Sequence, residues 1–140
     1  RVPDRATRDQ VNQLITEICE STAQSYAVHS SVEIFPRYDA TINHPEPAQT
    51  VRQLWQQDWG DDALKTDLHV PIMASEDFSY YLQTIPGAFA LIGADDGPQH
   101  QPPCHSPHYD FNDRLIPRVL RLFARLVGVS TPDLRSIDKQ

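Results

Sequence analysis

The chain has 140 residues, a formal net charge of −7 at pH 7 and two cysteines. The acidic balance argues against a nucleic-acid surface, and no apolar run approaches the ~20 residues that a membrane span needs. Because Cys19 and Cys104 lie far apart, they predict neither a disulfide framework nor a zinc ribbon, and the cytoplasm is the expected compartment.

The first forty residues predict a helix followed by a strand. Thr7 and Gln10 fit a capping box, and the helix predicted over residues 8–26 carries apolar or small side chains at helical spacing: Val11, Leu14, Ile15, Ile18 and Thr22. A short strand is predicted over 30–37, followed by a linker over 39–45.

Three further helices and one strand are predicted after the linker. Pro47 suits the start of a helix that Gly60 ends, and Ser75 suits an N-cap with Glu76 and Asp77 in the first turn. The apolar run over 88–92 predicts a strand buried on both faces. On the last helix, ended by Gly128, one set of side chains is expected to face inward (Leu120, Phe123, Ala124 and Val127) and another to face solvent (Arg118, Arg121 and Arg125).

The segment over 104–113, Cys-His-Ser-Pro-His-Tyr-Asp-Phe-Asn-Asp, is the richest in chemistry. Pro107 disfavours a helix, so a rigid loop is predicted, and a neutral imidazole is a common metal ligand whose tautomer a carboxylate can fix. By residue chemistry alone, His105 is either a ligand or a solvated side chain. His108 is not expected to be a ligand, and His69 and His100 are expected to be solvated.

Three ordered motifs resemble the metal-dependent amidohydrolases. They are Ala-Ser-Glu-Asp-Phe over 74–78, Ile-Pro-Gly over 85–87 with the apolar run that follows, and His-Ser-Pro with Tyr-Asp-Phe-Asn-Asp over 105–113. That family includes hippurate hydrolase, N-acyl-amino-acid amidohydrolases and auxin–amino-acid conjugate hydrolases. The resemblance extends from residue 1 to roughly residue 130.

The resemblance implies an α/β fold and the carboxy-terminal part of a two-domain metallohydrolase. Residues 1–40 would supply a helix and a strand to an α+β lid domain that often forms a homodimer. Residues 41–130 would end the α/β catalytic domain, and residues 131–140 would be a tail. A missing amino-terminal segment would carry the remaining metal ligands and the glutamate base, so the 140-residue chain alone is expected to be inactive.

The reaction implied by the resemblance is hydrolysis of the amide bond of N-acyl amino acids by a metal-activated water. Two divalent ions, chosen among zinc, manganese, cobalt and nickel, would act together. His105 would be one ligand of the second metal, and Glu76 would lie near the metals or the substrate unless it serves only the helix dipole. Asp110 and Ser75 would support the site, and Asn43 could reach the substrate. Cys104 departs from the family, which usually has leucine there.

Two readings without catalysis remain open. One is a stand-alone metal-binding module using His100, His105 and His108. The other is a lid-type interaction domain that associates through the edge of the predicted strand at Val32–Phe35.

Overall fold

The computed structural model describes residues 2–74 and 76–130, and within them the regular structure is helical. The α-helices are α1 (Arg5–Ser25), α2 (Pro45–Trp59), α3 (Ser79–Leu82) and α4 (Leu115–Leu126). Single 3₁₀ turns lie at Asp61–Ala63 and Pro98–His100. None of the helices in this described part combines the length and apolarity that a membrane crossing requires.

The predicted α/β fold is wrong for the described residues, which contain no β-strand. The segments over 30–37 and 88–92 carry no regular secondary structure, because a strand needs a neighbouring strand to bond with. The backbone of Phe89 bonds instead to a side chain, because the Asn43 amide donates to its carbonyl at 2.8 Å and accepts from its N–H at 2.7 Å. A side-chain amide therefore takes the place of a neighbouring strand at this point.

The chain divides into two compact units, each built from two separate stretches of sequence. The first contains the residues up to His44 together with Asp67–Phe89, and the second contains Pro45–Thr66 together with the residues from Ala90 onward. The predicted division into a lid part over 1–40 and a catalytic part over 41–130 stays a prediction. The predicted tail over 131–140 lies outside the described residues.

Helix α1 begins earlier than predicted because Asp4, rather than Thr7, is its N-cap. The Asp4 carboxylate accepts a hydrogen bond from the Thr7 backbone N–H at 2.8 Å and another from the Thr7 hydroxyl at 2.9 Å. These bonds lower the pKa of Asp4, the backbone bond contributing most. At the other end, Ala27 has φ +53 and the Val28 N–H bonds the Ala23 carbonyl at 3.0 Å, which is a Schellman ending.

Within the first unit, Asp39 joins three stretches of chain. Its carboxylate pairs with Arg5 at 2.9 Å and with Arg8, both on α1. It also accepts a hydrogen bond from the Gln83 side chain at 3.0 Å, just after α3. The linker that carries Asp39 is thereby held against both helices of its unit.

Within the second unit, α2 and α4 are joined by an ion-pair network, so the prediction that the α4 arginines face solvent is wrong. The Asp58 carboxylate, whose side chain is 7% exposed, pairs with Arg121 at 3.0 Å and with Arg125 at 2.9 Å. The Arg118 guanidinium lies 4.8 Å from the centre of the Trp59 ring, a cation–π distance. Burial alone raises the pKa of Asp58, but the hydrogen bonds and charges of the two arginines outweigh it, and the pKa is lowered.

The apolar side of α4 consequently faces outward. Leu120, Phe123 and Val127 are 60%, 61% and 74% exposed, whereas Leu122 is buried. The expectation that these three side chains face inward is therefore wrong for this structure. The predicted helix ends are confirmed, since Gly60 and Gly128 have φ +86 and +70 after α2 and α4.

Candidate metal and substrate site

His105 lies in a loop over residues 101–111, which follows the turn at Pro98–His100 and precedes α4; we call it the His105 loop. The backbone φ of His105 is +73, which lies in the left-handed region that residues other than glycine rarely adopt. The Ser106 N–H donates to the Pro103 carbonyl at 3.0 Å, and the Tyr109 N–H donates to the Ser106 carbonyl at 3.1 Å. Two successive turns thus hold the exposed His105 outward, in the non-helical loop that the sequence predicts.

The two ends of the His105 loop are connected by four polar residues, Asp96, His100, Asn112 and Arg114, which we call the base cluster. Asp96 bonds the His100 ring nitrogen Nδ1 with one carboxylate oxygen and Arg114 with the other, at 3.2 Å. The hydrogen bond with His100 is the largest influence on the pKa of Asp96, which is lowered despite desolvation. The His100 side chain is only 10% exposed, so the expectation that it is solvated is wrong.

Asn112 completes the base cluster and is itself buried. Its side-chain nitrogen donates to the Ala94 carbonyl at 2.9 Å, before the loop. Its side-chain oxygen accepts from the Arg114 backbone N–H at 3.1 Å, at the start of α4. One side chain therefore links the chain that enters the loop to the helix that leaves it.

Cys104 influences the phenol of Tyr109 across the His105 loop. Desolvation, followed by the charge and hydrogen bonding of Cys104 and the charge of Asp110, raises the pKa of the Tyr109 phenol. Cys104 is a free, exposed thiol.

Asp110, predicted to support the loop, has an exposed side chain. Within the described residues it takes part in no hydrogen bond, and its charge acts on the neighbouring Tyr109. The polar contacts that connect the loop ends come from the base cluster instead. A supporting role for Asp110 in the site stays a prediction.

Glu76 precedes α3 rather than occupying its first turn, since that helix begins at Ser79. Its carboxylate lies 3.5 Å from the Phe78 N–H, and its backbone carbonyl accepts a hydrogen bond from the Ser79 hydroxyl at 3.1 Å. Ser79 is 1% exposed. Glu76 is thus held by its backbone with a half-buried side chain, while Ser75, predicted to support the site, lies outside the described residues.

Asn43, predicted as a weak substrate contact, uses both ends of its amide on Phe89, as described above. The next residue continues this pairing, because the His44 N–H donates to the Gly87 carbonyl at 3.0 Å and the Gly87 N–H donates to His44 Nδ1 at 3.2 Å. The Phe89 ring packs 5.7 Å from the Phe78 ring. Asn43 and the Glu76 segment therefore belong to one packed region of the first unit.

The donor chemistry of the second unit fits one ligand to a metal ion rather than a complete site. His105 offers an exposed imidazole, a nitrogen donor that suits zinc and its neighbours. Across the residues that the structure describes, no group of three or more His, Cys, Asp or Glu side chains is arranged to hold a metal ion. Any metal at His105 would need further ligands from elsewhere.

The sequence does not predict the contacts of the base cluster. Asp96 and His100 are four residues apart, a spacing that would suggest pairing only on a helix. Here the intervening Gly97 has φ +158 and opens the 3₁₀ turn at Pro98–His100. The one available signal was a carboxylate and an imidazole on either side of a Gly-Pro turn.

Comparison with known proteins gives a family for nearly the whole chain. The sequence profile of the peptidase family M20/M25/M40 matches residues 5–128. No solved structure gives a significant match.

Individual relatives agree with that profile. The IAA-amino acid hydrolases ILR1-like 2 and ILR1-like 4 of Arabidopsis thaliana are each 30% identical, over 77% and 85% of this chain. Hippurate hydrolase of Campylobacter jejuni is 25% identical over 90% of the chain. The matches cover 25%, 27% and 32% of these relatives, so the chain spans about a quarter to a third of their length. The chain belongs to the peptidase family M20/M25/M40.

Proposed function

We propose that this chain is part of a longer metal-dependent amidohydrolase that cleaves the amide bond of N-acyl amino acids. The observation that carries the proposal is the outward-facing His105 on a loop whose ends are fixed, within a family match that covers residues 5–128. Relatives named for IAA–amino acid conjugates and for hippurate support a substrate with an acyl group joined to an amino acid.

His105 would hold one of two divalent ions through a ring nitrogen, with zinc, manganese, cobalt or nickel as candidates. The bound ions would supply an activated water and polarise the scissile carbonyl. This chain's own part would be to hold the imidazole in place, and a role of the Glu76 carboxylate near the metals or the substrate belongs to the same proposal. The other ligands and the base would come from a segment outside this chain, and a homodimer through the lid part is part of the same proposal.

The test compares two histidines of the same loop in the longer protein. His105→Ala should abolish most hydrolysis of N-benzoylglycine and lower the metal content by about one ion per subunit. His108→Ala should leave both quantities nearly unchanged, because its ring is exposed and only its backbone N–H bonds, to the Ser106 hydroxyl at 3.1 Å. Turnover and metal content are measured for both variants. Equal losses of turnover and metal in His105→Ala and His108→Ala would contradict the proposal that His105, and not His108, is the metal ligand.

A further inference from the structure

We propose that Asp96 and His100 are positioning residues for His105, holding the two ends of its loop so that the imidazole is presented to a metal in one geometry. This inference rests on the proposed function for the metal itself. It concerns two residues that lie outside the motifs described above and that contribute no ligand of their own.

The base cluster connects the two ends of the His105 loop. The Asp96 carboxylate bonds His100, which immediately precedes the His105 loop, and Arg114, which follows it. The buried Asn112 adds a second link from Ala94 to Arg114. A carboxylate that bonds both ends of a loop restricts the freedom of every residue between them.

The backbone of His105 is in a conformation that needs outside support. A left-handed conformation costs a residue other than glycine roughly 1–2 kcal/mol, so it persists only where surrounding contacts enforce it. The bonds inside the loop are those of two turns, which give it shape but do not connect it to the rest of the unit. The base cluster supplies that connection.

The surroundings of His100 favour positioning over direct metal binding. A histidine that donates its Nδ1–H to a carboxylate is also a common form of metal ligand, with Nε2 facing the ion. The His100 side chain is only 10% exposed, and no group of three donors surrounds it within the described residues. The geometry favours an imidazole that serves as a buried donor to Asp96.

The experiment measures the affinity of the longer protein for Co²⁺ in matched variants. Asp96→Asn removes the charge that binds both loop ends, and we expect a ten- to hundred-fold weaker affinity, the usual size for losing a group that orients a ligand. Asp95→Asn is the control, because Asp95 bonds only the Gly97 N–H, at 3.1 Å, and an amide oxygen can still accept that bond. Its affinity should stay within about three-fold of wild type.

A pair of substitutions at His100 distinguishes positioning from ligation. Asparagine places a side-chain N–H near the Nδ1 position but has nothing at Nε2. His100→Ala should weaken Co²⁺ binding as Asp96→Asn does, and His100→Asn should restore most of it. If His100→Asn loses as much affinity as His100→Ala, His100 is a ligand and the positioning role is wrong.

A readout without metal keeps the test independent of the proposed function. Amide hydrogen exchange over residues 101–111 should be at least ten-fold faster in His100→Ala than in wild type, while exchange in α1 stays the same. Unchanged exchange in the loop overturns the positioning role, whether or not the protein proves to be a hydrolase. Should the longer protein bind no Co²⁺ while the loop exchange responds as expected, the proposed function fails and the structural role of the base cluster stands.

Discussion

At the scale of single residues, Glu76 gives the sharpest prediction. Glu76→Gln keeps an oxygen to accept the Phe78 N–H and leaves the Ser79 contact untouched, since that contact uses the backbone carbonyl. The free energy of unfolding should therefore change by less than about 1 kcal/mol. If the carboxylate acts near the metals or the substrate, turnover should fall roughly ten- to a hundred-fold.

The matched control is Asp77→Asn, which changes the adjacent, exposed carboxylate and should leave turnover unchanged. Steady-state hydrolysis and thermal denaturation of both variants provide the comparison. Wild-type turnover in Glu76→Gln would show that the acid has no part in the reaction.

Residues differ in how far sequence alone could reveal them. His105 is recognisable because its motif is local and contiguous. The contacts of Asp96 and His100 depend on backbone angles at Gly97, and those of Asn43 on a partner 46 residues away. No periodicity encodes either kind of contact, so the sequence predicts His105 as a candidate ligand but does not predict the contacts at the ends of its loop.

At the scale of elements, two helices end in the same motif with different residues. After α4, the Val129 N–H bonds the Ala124 carbonyl at 2.8 Å and Gly128 takes the left-handed position. After α1, that position belongs to Ala27. In the left-handed conformation an alanine destabilises the folded state by roughly 1–2 kcal/mol relative to glycine. The greater conformational entropy of glycine in the unfolded chain offsets part of that difference.

We therefore expect Ala27→Gly to raise the free energy of unfolding by about 1 kcal/mol and Gly128→Ala to lower it by a similar amount. A Cβ at Gly128 would meet nothing within 4 Å, so the loss would come from backbone strain and not from a clash. Urea denaturation of the two variants measures both changes. A destabilised Ala27→Gly would contradict the argument.

Asp58 gives a prediction about pH. Because its pKa is lowered in the folded state, its contribution is present above the unfolded value of about 3.8 and is lost as the pH falls through the folded value. Asp58→Asn should lower the free energy of unfolding by about 2 kcal/mol near pH 7 and make that free energy less sensitive to acid. Unfolding at pH 7 and below pH 3 checks this, with Asp62→Asn, an exposed carboxylate nearby, expected to change little.

Helices were predictable and strands were not, for a physical reason. The bonds of a helix lie within the segment, so caps and apolar spacing locate it to within a turn. A strand depends on backbone hydrogen bonds to another stretch of chain, and in the described residues no such ladder forms at 30–37 or 88–92. The prediction that the α4 arginines face solvent was wrong because Arg121 and Arg125 pair with the buried Asp58 carboxylate on α2, a contact between distant stretches of chain that spacing along one helix does not reveal.

At the scale of the whole molecule, the 140-residue chain alone should not hydrolyse N-benzoylglycine or N-acetyl amino acids, even with added zinc or manganese. His105 is one candidate ligand, and the described residues offer no group of three. Among the described residues, the buried apolar side chains are Ala23, Leu82 and Leu122. A hydrolysis assay with and without a chelator checks the prediction, and chelator-sensitive turnover by this chain would refute the proposal that ligands come from elsewhere.

The interleaving of the two units has a consequence for synthesis. A ribosome delivers residues 2–44 well before Asp67–Phe89, the second half of the same unit. At about 5–20 residues per second, Asn43 waits roughly 2 to 9 seconds before Phe89, 46 residues later, is synthesised. Throughout that interval Asp39 and Asn43 lack their partners Gln83 and Phe89, so the first unit cannot complete these contacts until its second stretch has been made.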